Sequence, residues 1–128
     1  MLLEVKNLSK HFDVSDGLFG RWLAGGKTLK AVDRVSFSVP EGKTFGLVGE
    51  SGCGKSTTAR LITKLLPATG GEVFFQGRDV LRLPNKEVRA LRKQIQMIFQ
   101  DPYASLNPRM RVVDIVGRPL TIFHGVRG

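Results

Sequence analysis

Cysteine and long apolar runs are scarce in this chain of 128 residues. The single cysteine, Cys53, excludes an internal disulfide, so nothing in the sequence indicates an oxidising compartment. No apolar run approaches the roughly eighteen residues that a membrane-spanning helix requires. The N-terminal residues lack the basic region and the apolar core of a secretory signal. We therefore expect a cytosolic protein, or one held at the cytosolic face of a membrane by a partner.

Acidic residues are also few, since 11 Asp and Glu stand against 20 Lys and Arg and give a formal charge of +9. Such a charge suits nucleic acid or an anionic membrane surface. The basic residues are spread from Lys6 to Arg127, and the densest stretch, 86–93, alternates with apolar residues as a solvated helix face does. Because the charge is not clustered, we do not expect nucleic acid to be the main partner.

The strongest positive signal is a glycine-rich run that fits the phosphate-loop pattern G-x-x-x-x-G-K-[ST]. The apolar segment Thr44–Val48 before it predicts a buried strand, and residues 58–66 after it have the apolar spacing of a helix. Strand, glycine-rich turn and helix form the context in which this pattern binds a nucleoside triphosphate. The alternative, a turn that caps a helix and binds nothing, fits that context poorly. The run consists of Gly49, Glu50, Ser51, Gly52, Cys53, Gly54, Lys55, Ser56 and Thr57.

Each residue type in the run has a physical role. The three glycines allow backbone N–H groups to turn inward and form a concave nest for phosphate oxygens. We expect Lys55 to reach the β- and γ-phosphates, Ser56 to place its hydroxyl on Mg²⁺, and Thr57 to donate to a phosphate. A helix beginning near Lys55 adds free N–H groups and the positive end of its dipole.

Cys53 allows two interpretations. It is either a small residue that fits the loop, or a thiol made reactive by the helix N-terminus and Lys55. The second interpretation predicts that alkylation blocks nucleotide binding and that bound nucleotide protects the thiol.

The remaining pattern predicts an α/β fold, with a phosphate-loop NTPase-type core and an antiparallel β subdomain at its edge. Apolar and polar residues alternate over 2–8, which is typical of a half-buried antiparallel strand. Further elements follow from apolar runs and turn residues: short strands at 29–32, 35–39 and 72–75, a turn at 40–43, and a tight connection at 76–79.

The second half of the chain predicts two helices and one more strand. Asn85 is a plausible N-cap for a helix over 86–92, Ile95–Phe99 reads as an apolar strand, and 112–120 as a helix. Residues 13–30 are rich in glycine and predict a loop. Four apolar residues in that loop either anchor it or contact a partner: Leu18, Phe19, Trp22 and Leu23.

Several of these features resemble, in order and spacing, the ATP-binding subunits of ABC transporters. The features are the first strand, the segment Val35-Ser36-Phe37, the turn at 40–43, the phosphate loop, and Gln100 at the end of the apolar run 95–99. The resemblance implies that Phe12 stacks on adenine. It also implies that Gln100 contacts Mg²⁺ or the attacking water and relays the nucleotide state to a membrane subunit. The alternatives are that Phe12 is a core residue ending the first strand and that Gln100 is a polar residue at the end of a strand.

The segment 99–109, with the sequence FQDPYASLNPR, resembles the dipeptide and oligopeptide importers within that family, and nickel-importing subunits share much of it. The resemblance implies ATP and Mg²⁺ as cofactors. It implies transmembrane permease subunits and a second ATPase subunit, identical or different, as partners. It places the protein at the cytoplasmic face of the membrane, bound peripherally through the permease.

Other motifs of that family do not occur in these residues. There is no Leu-Ser-Gly-Gly-Gln signature, no run of four apolar residues ending in Asp-Glu, and no context that marks His124 as a switch histidine. We therefore expect 1–128 to be the N-terminal portion of one nucleotide-binding domain that, alone, binds ATP weakly and hydrolyses it negligibly. In the whole subunit, ATP binding would power the import of peptides.

Four alternatives remain open at this stage. The chain is a non-catalytic nucleotide-binding module, an importer subunit for another solute such as nickel, a different phosphate-loop enzyme, or a basic nucleic-acid binder. A GTPase is disfavoured because the guanine-reading pattern Asn-Lys-x-Asp does not occur.

Overall fold

The computed structural model describes residues 1–13, 28–101 and 106–125. Its sheet is built on two long antiparallel strands, β1 (Leu3–Asp13) and β2 (Thr28–Val39). On its other side β1 pairs with β3 (Gly70–Phe75), which continues into the short β4 (Arg78–Asp79). The order across the sheet is β2-β1-β3-β4, and every pair is antiparallel. The antiparallel subdomain predicted from the sequence is therefore present.

β2 is a single strand, so the prediction of two separate strands at 29–32 and 35–39 was wrong. Asp33 and Arg34 continue the strand through a bulge, where the pairing register with β1 shifts between Leu8 and Lys10. Arg34 adopts a φ of 50°, and its N–H donates to the Ser9 hydroxyl at 3.0 Å. Because the Ser9 hydroxyl accepts the N–H that the bulge leaves unpaired, the two strands remain hydrogen-bonded before and after the bulge.

The predicted connection at 76–79 is a hairpin turn that leads into β4. Gln76 and Gly77 have φ values of 50° and 77°, so both central residues are left-handed. Two-residue turns of this kind match the right-handed twist of antiparallel strands, which explains how β3 reverses so sharply.

Two apolar runs were predicted to be strands, Thr44–Val48 as a buried one and Ile95–Phe99 as an apolar one, and both predictions were wrong. Neither run belongs to a strand, and Val48 and Ile98 are 93% and 95% exposed. A strand is stable only when a neighbour accepts and donates its backbone hydrogen bonds. Within 1–13, 28–101 and 106–125, no strand pairs with either run.

Three helices complete the described fold: α1 (Lys55–Ile62), α2 (Asn85–Leu91) and α3 (Val112–His124). α1 ends four residues before the predicted end at Leu66. Asn85 is the first residue of α2 and not its N-cap, because Pro84, with φ −66° and ψ 155°, occupies the capping position. α3 carries no buried residue. In the described part of the chain, no helix combines the length and apolar character that crossing a bilayer requires.

The core lies between the sheet and α1. Leu61 of α1 is fully buried against the strands, so the helix that begins at the phosphate loop is held firmly on β1 and β2. The predicted loop 13–30 lies largely outside the described residues, together with its four apolar residues. The buried cluster consists of Val5, Leu8, Val32, Leu61, Val73, Phe75, Val80 and Leu91.

Candidate functional site

The glycine-rich run leads directly into α1, as its pattern predicts. Gly54 stands at the N-cap of the helix in the left-handed conformation, with φ 97° and ψ 1°. A β-carbon on Gly54 would lie 2.2 Å from the carbonyl oxygen of Ala31 in β2. Glycine is therefore required at this position both by the backbone conformation and by the close approach of the strand.

The N-terminus of α1 presents backbone donors that no side chain caps. The Thr58 N–H donates to the Gly54 carbonyl at 2.8 Å, so the first helical hydrogen bond begins there. The N–H groups of Lys55, Ser56 and Thr57 precede that bond and have no intrahelical acceptor. Such a set of aligned donors, at the positive end of a helix dipole, favours an anion.

Lys55 holds the two ends of the loop together. Its ammonium donates to the carbonyls of Gly49 and Glu50, each at 2.6 Å, and lies 3.5 Å from the Cys53 sulfur. The side chain therefore lies across the loop that its pattern assigns to phosphate. The two carbonyl oxygens therefore fix the position of the ammonium within the loop.

The remaining residues of the run lie in the same stretch of backbone. Glu50 accepts the Cys53 N–H at 3.3 Å, which closes a turn. Cys53 is exposed, and a β-carbon on Gly49 would lie 2.6 Å from its sulfur. Ser51 and Ser56 are exposed, and Thr57 is half-buried. The Ser56 hydroxyl is thus free to approach a cation bound at the loop.

Phe12 lies near the end of β1, opposite Leu29 of β2. Its side chain is 37% exposed, so it is not a core residue. The ammonium of Lys10 lies 4.9 Å from the centroid of the ring. The ring is accessible enough to stack on a flat ligand.

Gln100 follows the run 95–99, in which Ile95 and Met97 are half-buried and the other residues are exposed, and Gln100 is itself exposed. Among the described residues, no hydrogen bond joins its side chain to the phosphate loop. The structure thus brings together 49–57 and places Phe12 on the sheet whose strand β2 approaches Gly54.

A cluster of charges surrounds Asp33 at the bulge of β2. Its carboxylate lies 3.4 Å from the Lys30 ammonium, 3.6 Å from the His11 Nε2 and 3.8 Å from the Arg34 Nε. Desolvation raises the pKa of the Asp33 carboxyl. The neighbouring cationic and hydrogen-bonding groups, led by Lys30, outweigh it and hold that pKa below its ordinary value of 3.8. Asp33 therefore stays ionised and offsets positive charge beside the loop.

Two residues that shape the site were missed by sequence reasoning. The Ala31 carbonyl fixes the approach of β2 to Gly54, and the buried Thr58 hydroxyl donates to the Gly54 carbonyl at 3.0 Å. Thr58 follows the pattern directly, so its place in the first helical turn was a usable signal. The role of Ala31 had no signal because it depends on a contact between distant segments.

Comparisons with known proteins match this chain to one family. The profile of the ABC transporter family matches residues 32–121. The oligopeptide transport ATP-binding protein OppF of Salmonella typhimurium is 52% identical over 124 residues, which cover 97% of this chain and 37% of that protein. The dipeptide transport ATP-binding protein DppF of Escherichia coli is 46% identical over 121 residues, covering 94% of this chain and 35% of that protein.

A solved structure matches the fold as well. A dimeric ATP-binding cassette, bound to ADP and Pi in a post-hydrolysis state, superposes with a TM-score of 0.74 at 25% identity, covering 98% of this chain and 49% of that one. This chain belongs to the ABC transporter family. Its fold is that of the ATPase cassette of these transporters, which confirms the predicted α/β class. The chain spans about a third of the length of the transport proteins it matches.

Proposed function

We propose that this chain binds MgATP as the nucleotide-binding part of a subunit that powers peptide import. The observation that carries the proposal is the uncapped N-terminus of α1 beside Gly54, with the Lys55 ammonium held at 2.6 Å from two loop carbonyls. Donors, dipole and cation converge on one small region, which is the arrangement that a polyphosphate requires.

The residues of the loop would divide the work among them. The N–H groups of Lys55, Ser56 and Thr57 would donate to phosphate oxygens, and the Lys55 ammonium would exchange its carbonyl acceptors for the β- and γ-phosphates. Ser56 would supply a hydroxyl ligand to the metal. Bound Mg²⁺ supplies positive charge that neutralises the phosphates.

Two residues outside the loop complete the proposed site. The accessible ring of Phe12 would cover one face of adenine without requiring a particular pattern of base edges. Gln100 would contribute its amide to the metal or to a water molecule. Gln100 is exposed, so its amide is accessible to such a ligand.

The substrate class comes from the relatives. The two proteins named above serve oligopeptide and dipeptide transport, and both match more than nine-tenths of this chain. We propose transmembrane permease subunits and a second ATPase subunit as partners, in keeping with the dimeric solved cassette. The protein would then act at the cytoplasmic face of the membrane.

We propose binding without appreciable turnover for these residues alone. Phosphoryl transfer needs a positioned water and charge stabilisation in addition to a phosphate cradle. The signature Leu-Ser-Gly-Gly-Gln and an Asp-Glu pair after an apolar run do not occur among residues 1–128. Phosphate release from MgATP should therefore stay at the background rate, and robust turnover that Lys55→Ala abolishes would contradict this.

Calorimetric titration with MgATP tests the binding proposal directly. Charge-assisted hydrogen bonds are worth about 1.5–3 kcal/mol, so Lys55→Ala should weaken binding at least about tenfold. Lys43→Ala is the matched control, because it removes the same charge from an exposed turn before the loop. Equal affinity of Lys55→Ala and the unmodified chain would refute the proposal, as would the absence of saturable binding by a cooperatively folded chain.

A further inference from the structure

The ring of Phe12 is already in contact with a cation of its own strand. The Lys10 ammonium lies 4.9 Å from the ring centroid, within the range of a cation–π interaction. Lys10 and Phe12 are two residues apart on β1, so their side chains share one face of the sheet. Among the described residues, no carboxylate lies within ion-pair distance of Lys10, and its ammonium contacts the Phe12 ring instead.

This face of the sheet is the one that meets the phosphate loop. Lys10 pairs with Val32 of β2, and directly opposed residues of antiparallel strands lie on the same face. Val32 is buried, and its Cγ2 atom lies 3.5 Å from the position that a β-carbon on Gly54 would take. Lys10 therefore lies on the face of the sheet that packs against the loop, directly opposite Val32. Phe12 lies on the same face, two residues further along β1.

A phenyl ring has two faces, and a cation over one of them leaves the other for a base. The interaction also draws electron density toward the cation and restricts the orientation of the ring. We propose that Lys10 is a positioning residue of the nucleotide site, whose ammonium holds Phe12 so that adenine stacks on the opposite face. The proposal rests on the proposed function, because it assumes that Phe12 receives adenine.

Lys10 could affect binding through the Phe12 ring or through the attraction of its charge for the phosphates, and two ligands distinguish these explanations. MgATP contains the base, whereas magnesium tripolyphosphate presents the phosphates alone. Lys10→Met keeps the length of the side chain and removes the cation. It should weaken MgATP binding about two- to fivefold and leave tripolyphosphate binding unchanged. Lys10→Arg should restore MgATP binding, because a guanidinium also stacks on an aromatic ring.

Lys6 provides the matched control on the same strand. Its ammonium lies 5.1 Å from the Phe74 ring and 3.2 Å from the Glu4 carboxylate, so Lys6→Met removes an equal charge and a similar ring contact, together with one exposed ion pair. Lys6→Met should leave the affinity for both ligands unchanged. In a Phe12→Leu background, Lys10→Met should have no additional effect, because the ring through which it acts is gone.

Three results would overturn the inference. These are an unchanged or higher affinity of Lys10→Met for MgATP, an equal loss for tripolyphosphate, and an undiminished effect of Lys10→Met without the Phe12 ring. A different result would instead overturn the base contact of the proposed function, namely a Phe12→Leu chain that binds MgATP as tightly as the unmodified one. Thermal unfolding of each variant verifies that the comparison is made between folded chains.

Discussion

The rings of Phe37 and Phe45 are stacked, with centroids 4.6 Å apart and planes inclined by 1°. Phe37 belongs to β2, and Phe45 lies in the unpaired run that leads to the phosphate loop. The stack therefore ties the approach to the loop onto the sheet, although no backbone ladder holds that run.

Loss of this stack should be measurable as a coupling energy. Stacked aromatic pairs contribute about 0.5–1.5 kcal/mol beyond the area that they bury. A double-mutant cycle of Phe37→Leu and Phe45→Leu, followed by urea unfolding, should return a coupling in that range. The pair Phe45→Leu and Phe74→Leu serves as the control and should be additive. A coupling near zero between Phe37 and Phe45 would show that the stack does not stabilise the approach.

Gly54 and Gly52 separate the cost of a left-handed backbone from the cost of a close contact at the β-carbon position. Both have positive φ, 97° and 82°, but a β-carbon would meet the Ala31 carbonyl only at Gly54 and open space at Gly52. Gly52→Ala should cost about 1 kcal/mol from the left-handed backbone alone. Gly54→Ala should cost at least about 2 kcal/mol, because the strand must also move. Chemical unfolding of both variants checks the order, and equal costs would contradict the contact.

Alkylation of Cys53 should interfere with nucleotide binding. The thiol is exposed and lies 3.5 Å from the Lys55 ammonium, so an added group would stand in the proposed path of the phosphates. We expect iodoacetamide labelling to slow in the presence of MgATP, and the labelled chain to lose MgATP binding. Cys53→Ala is the control, since it should bind MgATP and resist inactivation. Equal labelling rates with and without MgATP would contradict this expectation.

Asp33 predicts the direction of one pH effect. Its pKa is below the ordinary value of 3.8 in the folded chain, because of Lys30, Arg34 and His11. A depressed carboxyl pKa contributes stability that is fully present above the unfolded pKa and is lost as the pH falls through the folded one. Asp33→Asn should thus be less stable than the unmodified chain at neutral pH. That difference should close on acidification below 3.8, the ordinary value.

Unfolding by urea at several pH values measures this difference. A gap between the two chains that widens as the pH falls would show that the carboxylate is not stabilised by its neighbours. Asp79→Asn is less suitable as a control, because its carboxylate also accepts the Leu81 N–H at 2.9 Å. The control is Asp114→Asn, which removes one exposed carboxylate that pairs with Arg111 at the start of α3.

The sequence predicted those parts of the molecule whose structure depends on nearby residues. Gly54 and Lys55 lie within a few residues of the helix that they begin, and Gln76-Gly77 contain their own turn chemistry. The alternation in β1 likewise indicated a strand, because a half-buried face leaves a period of two in the sequence. These features were found where the pattern placed them.

Strand pairing was predicted less well. Thr44–Val48 and Ile95–Phe99 have the composition of strands, but hydrogen-bonded neighbours and not composition decide whether a run joins a sheet. The Asp33-Arg34 interruption read as a break, whereas the Ser9 hydroxyl accommodates it within one strand. The cap of α2 was misassigned by one residue, since Pro84 is compatible with the same extended entry into a helix.

The sequence by itself determined the phosphate loop, because its glycines, its lysine and its helix start act within one short segment of backbone. Only the tertiary structure decided what surrounds that loop. The Ala31 carbonyl contacts Gly54, which is 23 positions later in the chain. Lys10 contacts the Phe12 ring and lies opposite Val32, on the face of the sheet that packs against the loop. Such contacts depend on strand register and on the angle at which α1 packs, which are set jointly by residues far apart in the sequence.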